Sequence, residues 1–455
     1  MNSINKKNRR NYTIVKGPDQ VNFSNGEYVK LGERLRNNHR ENLPIPMDDL
    51  EKLQVLRTSY KKSLSQIFEI LQKSIKKVNK GAIITYRVKR IDSIISKLVR
   101  NKNMQLHRIE DIAGCRCIFS NNDQVYQFKS ILQKELFIKS DRNDYIASPK
   151  SDGYKSLHLI VQTLDKKSKP IELQLRCEQD HNWATLVEIT DIVYNSRIKE
   201  LGNEPELGRM LFLFSKGIES LENSEVDELI DLIEKKDFIK KINSVFVQNS
   251  INVRKQWSEI DKNPAKSFYL IQVDNNNNSF ISSYINFSQA EFAYFERFTK
   301  NRNHNIVLTH IPNARFEQIS KAYSNYTLTY HAFFHDLMSK LQQYVKLSFI
   351  DKNFTGFSKY FKLFVYIYFD HTKLQFYEMY ALRNANCKIM KKHEWQVDIN
   401  QRLKKNLKKK NDVVQQLNLK YHNLYHLFTI VKINKIWRSY SKKFTKDIEE
   451  LSNIG

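Results

Sequence analysis

Residues 86–200 concentrate the side chains that could do chemistry. The stretch YRVKRIDSIISKLVR (86–100) carries Arg87, Lys89, Arg90, Ser93, Lys97 and Arg100. Its pattern predicts that they gather at the start of a helix, where unpaired N–H groups and the helix dipole favour anions. RIEDIAGCRCIF (108–119) sets Asp111 ahead of a glycine-containing turn and Arg116 on a strand. In IELQLR (171–176) alternation puts Glu172, Gln174 and Arg176 on one strand face and Ile171, Leu173 and Leu175 on the other. Burying a face of charged and amide groups is costly, so this face points to a ligand. The set meets the needs of phosphoryl or pyrophosphoryl transfer: cations to neutralise oxygens, carboxylates to hold Mg²⁺, and a base for a hydroxyl nucleophile. Carboxylate, phosphate and water ligands suit magnesium. DYIASPKSDGYKSLHL (144–159) adds Gly153 for a tight turn, Tyr154 as a flat face for a base, and Lys150, Lys155 and His158 to meet phosphates or ribose hydroxyls. Taken singly, each has a plain structural explanation: Asp111 as a turn cap, Tyr154 as a packed turn aromatic, Glu172 as the partner of Arg176. Their joint occurrence favours a site.

RVKRIDSIISK, EDIAGCR, DYIASPKSDGYKSLH, ELQLR and HNWATLVE occur in the order and spacing of the RelA/SpoT-type (p)ppGpp synthetase domain, which residues 47–200 resemble. The resemblance implies a nucleotidyltransferase-like domain that transfers the β,γ-pyrophosphate of ATP to the 3′-hydroxyl of GDP or GTP, making (p)ppGpp with Mg²⁺. By position, Arg87 and Arg116 would sandwich the adenine, while Lys89, Ser93 and Lys97, with Arg90 in the same donor set, would meet the ATP phosphates. Asp111 and Glu172 would hold Mg²⁺, and Glu172 would also activate the acceptor hydroxyl. Tyr154 would stack on the acceptor base, with Lys150, Lys155, His158, Gln174 and Arg176 orienting it. Asp152 could accept from the N1 and N2 hydrogens of guanine. RVKR and WATLVE look like a longer standalone branch, with toxin-like members, whose second α/β region resembles NIVLTHIPNARFEQISKAYSNY (305–326). Some relatives in the family pyrophosphorylate the 3′ end of tRNA as toxins or phage-defence enzymes, which is the alternative reading. A catalytically silent RNA-binding protein is a third, against which retention of both Asp111 and Glu172 argues.

Positioning these residues requires an α+β chain with a mixed β-sheet flanked by helices. Periodicity predicts a flexible basic arm over 1–45 and the synthetase domain over 46–240. A smaller α/β domain is expected over 260–345, and a basic, largely helical region over 346–455. MDDLEKLQVLRTSYKKSLSQIFEILQKSIKKV (47–78) reads as one long amphipathic helix. GCRCIFS, LHLIVQTL and PIELQLRC read as strands, and Trp183 as a core anchor for the helix after them. KSFYLIQVDNNNNSFISSYINF reads as strand, turn, strand, and YFKLFVYIYFDHTKLQFYEMYALR as a hairpin followed by long basic helices.

The 455-residue chain has a formal charge of +26 and a pI near 9.6, which selects polyanionic partners. RLKKNLKKK (402–410), with Tyr421, Tyr425, Phe428, Trp437 and Tyr440 downstream, would suit a tRNA or ribosome contact. The pairs His331/His335 and His422/His426 stand at helical spacing without a third ligand nearby. Four cysteines, of which Cys115 and Cys117 fit alternate strand positions, make no disulfide framework. No apolar run reaches spanning length, so the expectation is a cytoplasmic protein with no membrane partner. Homo-oligomer formation is left open.

Overall fold

The computed structural model describes residues 23–196, 198, 204–262, 265–301, 305–329, 331–385, 401–408 and 424–453. The described chain opens with helices α1 (Asn25–Arg40), α2 (Met47–Thr58) and α3 (Lys61–Ile75). Ser24 and Glu27 cap each other's backbone N–H groups at the start of α1, and the helix buries Tyr28, Leu31 and Leu35. Part of the expected flexible arm is therefore ordered, and residues 1–22 lie outside the described residues. The single helix expected over 47–78 is two helices. At the break, Thr58 Oγ1 donates to the Gln54 carbonyl at 3.0 Å and Ser59 Oγ to the Leu56 carbonyl at 2.6 Å, bonds that compete with the helical ladder.

Among the described residues eight strands follow: β1 (Ile83–Val88), β2 (Ala113–Phe119), β3 (Phe137–Asp144), β4 (Leu157–Gln162), β5 (Ile171–Cys177), β6 (Phe268–Val273), β7 (Ser279–Tyr284) and β8 (Asn305–His310). They form one mixed sheet in the order β3-β4-β5-β2-β1-β8-β6-β7, in which only the β2–β5 pair is parallel. The strands of the second α/β region therefore extend the first region's sheet instead of forming their own. Without β8, β1 would be an edge with unpaired backbone groups. β8 pairs Arg87 with Thr309 and Tyr86 with His310, and Thr309 Oγ1 donates to the Tyr86 carbonyl at 3.0 Å.

The helices lie on both faces: α4 (Ile91–Arg100), α5 (Asn122–Glu135), α6 (Glu178–Tyr194), α7 (Pro205–Ser215), α8 (Asn223–Lys235), α9 (Phe238–Asp261), α10 (Phe287–Lys300), α11 (Phe316–Ala322), α12 (Ser324–Thr327), α13 (Phe333–Ile350), α14 (Phe354–Ala385) and α15 (Leu424–Asn453). One sheet face is apolar throughout. Cys115, Cys117, Leu159, Leu173, Leu270 and Leu308 pack there with α1–α5 and α10. The other face is divided. Tyr269, Ile271 and Val307 pack under α9, α11 and α12, whereas β1, β2, β4 and β5 present Arg87, Arg116, His158, Glu172, Gln174 and Arg176 there. The site is the polar half of this face.

The expected hairpin within 360–383 is part of α14, because Phe357, Phe361, Val365, Ile367 and Phe376 are buried against neighbouring helices. Trp437 belongs to the same core, 5.0 Å from Phe369 and 5.5 Å from Tyr368 between ring centroids, so it is no surface for stacking a base. Of RLKKNLKKK, residues 402–408 are helical, while 409–410, Tyr421 and His422 lie outside the described residues. His331 is buried, with Nε2 2.9 Å from the Asn182 carbonyl and 3.0 Å from Thr185 Oγ1. Among the described residues no helix is long and apolar enough to cross a membrane.

Candidate active site

Strand register brings the distant motifs together. Arg87 on β1 faces Gly114 on β2, Gly114 pairs with Glu172 on β5, and Arg116 pairs with Gln174, which pairs with His158 on β4. Gly114 lies within the strand and not in the expected turn. A Cβ there would stand 3.0 Å from the Glu172 carbonyl oxygen, so the glycine permits the close approach of β5. Arg87 likewise sits on a strand, and Lys89 and Arg90 occupy the link to α4. Only Ser93, Lys97 and Arg100 are on the helix itself. The first N–H of α4, from Ile91, donates to Tyr294 Oη at 3.0 Å, so protein already occupies part of the expected anion site.

At one end of the site Glu172 is held by Gln174 Nε2 at 2.9 Å and His158 Nδ1 at 3.1 Å. His158 Nε2 lies 2.7 Å from Tyr154 Oη, which accepts from Arg176 at 2.7 Å. Burial opposes the His158 imidazolium, but the hydrogen bond to Glu172, with Tyr154, outweighs it and raises the His158 pKa. Burial similarly opposes ionisation of Glu172, yet His158 outweighs it and the carboxyl pKa is lowered. Tyr154 is 4% exposed, with Trp183 6.2 Å away and Lys150 5.2 Å over its ring. Arg176 also stands 5.2 Å over that ring, so a base could reach it only after a covering side chain moves. Gly153 has φ +92°, and a Cβ there would lie 2.2 Å from Ser215 Oγ at the end of α7. Lys155 reaches the Ser215 carbonyl at 3.1 Å, and Asp152 accepts from the Tyr154 N–H at 2.9 Å. Both expected acceptor ligands thus brace their own loop.

The carboxylate of Asp111, just before β2, is gripped by Lys89 at 2.6 Å and Lys97 at 2.8 Å. Burial favours its neutral form, but the two lysines outweigh this and lower its pKa. Burial also lowers the Lys89 pKa against the pull of Asp111. Asp111 is among the charges acting on Glu172, so two ionised carboxylates stand within electrostatic reach. Carboxylates are the ligand type that Mg²⁺ takes, with water and phosphate oxygens completing its shell. The arginines are crowded: burial, then the charges of Arg176 and Arg87, push Arg116 down to about 10. Arg176 Nε is buried and meets no acceptor among the described residues. This cationic excess suits a polyphosphate.

The residues that the motifs do not disclose come mostly from the second region. Tyr323, between α11 and α12, lines the narrow cleft with Thr85, Arg87, Arg116 and Glu172. Its hydroxyl is 2.7 Å from Thr309 Oγ1 and donates to Thr85 Oγ1 at 3.2 Å. Asn325 binds Glu188 of α6, and Arg90 binds Asn305 at the start of β8. Arg57 is fully buried and holds the Lys89 carbonyl at 2.8 Å while pairing with Glu291 at 3.0 Å. An aromatic and asparagine run such as YSNY is the one sequence signal available, and nothing local ties it to a site well over a hundred residues upstream.

Residues 86–199 match a family model described as a region found in RelA / SpoT proteins. A GTP pyrophosphokinase of Bacillus subtilis, YjbM, is 37% identical over 127 residues, which are 26% of this chain and 59% of that protein. A second from the same organism, YwaC, is 35% identical over 112 residues, covering 22% of this chain and 53% of the relative. The chain thus spans somewhat more than half the length of these relatives. The crystal structure of the small alarmone synthetase 1 from Bacillus subtilis aligns over 42% of this chain and 99% of its own, with 23% identity and a TM-score of 0.32. Residues 86–199 are thus similar to the region that RelA and SpoT proteins share.

Proposed function

We propose that this chain is a nucleotide 3′-pyrophosphokinase that moves the β,γ-pyrophosphate of ATP to the 3′-hydroxyl of GDP or GTP. The observation that carries the reading is the pair of carboxylates held by cations: Glu172 in the cleft of the polar sheet face with Arg87 and Arg116, and Asp111, just before β2, with Lys89 and Lys97. The RelA/SpoT region over these residues, and relatives named as GTP pyrophosphokinases, support the same chemistry.

In this mechanism the acceptor oxygen attacks the β-phosphorus of ATP, the α–β bridging P–O bond breaks, and AMP leaves. Glu172 takes the hydroxyl proton. His158 on one carboxylate oxygen and Gln174 on the other orient Glu172, and one of these contacts opens for its oxygen to meet substrate while the other holds. Lys89 and Lys97 release Asp111 as they turn to phosphate oxygens. Arg87, Arg116 and Arg176 neutralise charge as it spreads over the transferring group. Mg²⁺, held by Asp111 and Glu172, would supply a Lewis acid for those oxygens. Tyr323 stands on the side where the adenine would lie between Arg87 and Arg116, so the arrangement described is a closed form, and donor binding requires Tyr323 to withdraw.

The test is incubation with labelled ATP and GDP, GTP or tRNA, followed by chromatography. Label is expected in a guanosine nucleotide and lost in Glu172→Gln. Label entering RNA alone would overturn the acceptor, and equal labelling by wild type and Glu172→Gln would overturn the mechanism.

A further inference from the structure

A second cavity, of about 450 Å³, lies outside the active site between α6, α9, α11, the start of α12 and α14, with Thr329, His331 and Ala332. That is the size of a small-molecule pocket. Its charges are ordered by depth. Arg254 lies inside at 16% side-chain exposure and Lys321 at 35%, whereas their partners Glu317 and Glu178 stand at the rim at 70% and 43%. The Arg254–Glu317 pair is long, 3.6 Å, and its carboxylate is 70% exposed, so an entering anion can compete with Glu317 for Arg254. The Arg254 guanidinium stacks 3.7 Å over the Phe316 ring, which fixes the fork that binds phosphate oxygens in bidentate fashion. Asn182, Ser320, Ser324, Thr329 and Gln375 add amide and hydroxyl groups, while Leu374 and Ala332 give an apolar wall. An inner cation, hydroxyl-rich sides and an apolar wall match a phosphate, a sugar and a ring.

We propose that this cavity binds a phosphorylated ligand of mononucleotide size, and that its occupancy controls access to the active site. The link is physical. Lys321 and Ser324 line the cavity, and Tyr323 between them points the other way, into the cleft at Arg87 and Arg116. A ligand that draws on Lys321 and Ser324 acts on the same turn of chain that seats Tyr323. The coupling rests on the function proposed above; the binding does not.

The binding test is calorimetric titration of the full chain carrying Arg116→Ala and Glu172→Gln, to blunt the active site, with AMP, GMP and pyrophosphate as probes. At least one should bind with single-site stoichiometry at or below about 1 mM. Arg254→Glu, and separately Ser320→Trp to fill the cavity, should each weaken it tenfold or more in protein whose melting curve shows a folded chain. Failure of all three probes to bind, or binding indifferent to both substitutions, overturns the site. In otherwise wild-type protein the binding probe should change the rate of labelled-ATP consumption, and this change should vanish in Arg254→Glu. An unchanged rate overturns the coupling. Protein that consumes no ATP with any acceptor yet still binds a probe in an Arg254-dependent way refutes the proposed function and leaves the site standing.

Discussion

If Tyr323 closes the donor cleft, removing its hydroxyl should make the enzyme better at using ATP. Tyr323→Phe keeps the ring and its packing but deletes the contacts to Thr309 at 2.7 Å and Thr85 at 3.2 Å. Both threonines are buried, and Thr309 retains its bond to the Tyr86 carbonyl. A net hydrogen bond contributes about 1 kcal/mol, so the closed form should lose about 1–2 kcal/mol relative to the open one. That corresponds to a rise of roughly 5- to 30-fold in the open-to-closed ratio. While the open form remains the minor one, the apparent KM for ATP should fall by the same factor. The assay is initial-rate kinetics with labelled ATP at fixed, saturating GDP, alongside thermal melting to show that the variant is folded. A KM for ATP that stays constant would refute closure by Tyr323. A raised KM would show instead that the hydroxyl contacts the donor.

The ion pair between Arg57 and Glu291 joins α2 to α10 in the interior. Glu291→Ala should cost about 3–5 kcal/mol by urea denaturation, because it strands a buried guanidinium. The double change Arg57→Met with Glu291→Leu should recover most of that stability but lower turnover, since Arg57 no longer holds the Lys89 carbonyl. Gly153→Ala combines a positive φ with overlap against Ser215 and should cost about 2–5 kcal/mol. Adding Ser215→Gly should restore only the part due to overlap, and full restoration would show that φ carries no strain. Because the His158 pKa is raised on folding, the group contributes stability that is complete below its ordinary value near 6.5 and is lost as pH rises through the higher folded value. Thermal denaturation between about pH 6 and pH 9 should therefore show a downward slope in wild type that is missing in His158→Gln, and equal slopes would contradict the imidazolium–Glu172 pair.

The residues of the site were legible where alternation and type coincide. Glu172, Gln174 and Arg176 on one face of β5, with Leu173 and Leu175 on the other, is the arrangement that IELQLR spells out. β1 was hidden because Arg87, Lys89 and Arg90 run unbroken into the helical pattern of α4, and charge carries no strand period. β3 was hidden because it is an edge strand whose FIKSDRND has no apolar alternation and no fully buried residue. The opposite failure occurred in α14. A helix packed on several sides loses the polar stripe that marks its period, and its Phe, Tyr and Val run then resembles strand. Tyr323, Thr309 and Asn325 could not be read at all, since their role comes from β8 docking on β1, a pairing between segments more than two hundred residues apart.

That pairing also decides how regulation can be tested. Were the second region a separate domain, cutting the chain near residue 240 would free the catalytic half and report its unrestrained rate. In the shared sheet the same cut removes β8 from β1 beside Arg87, breaks the Arg90–Asn305 bond and takes Glu291 from Arg57. It also removes Tyr294 from the first N–H of α4. The truncated chain would expose an unsatisfied strand edge and a buried, unpaired arginine at the elements that carry Arg87 and Lys89. Loss of activity in such a fragment would report collapse of the donor side. Point substitution of Tyr323, which leaves every one of those supports in place, is the perturbation that separates control of the site from construction of it.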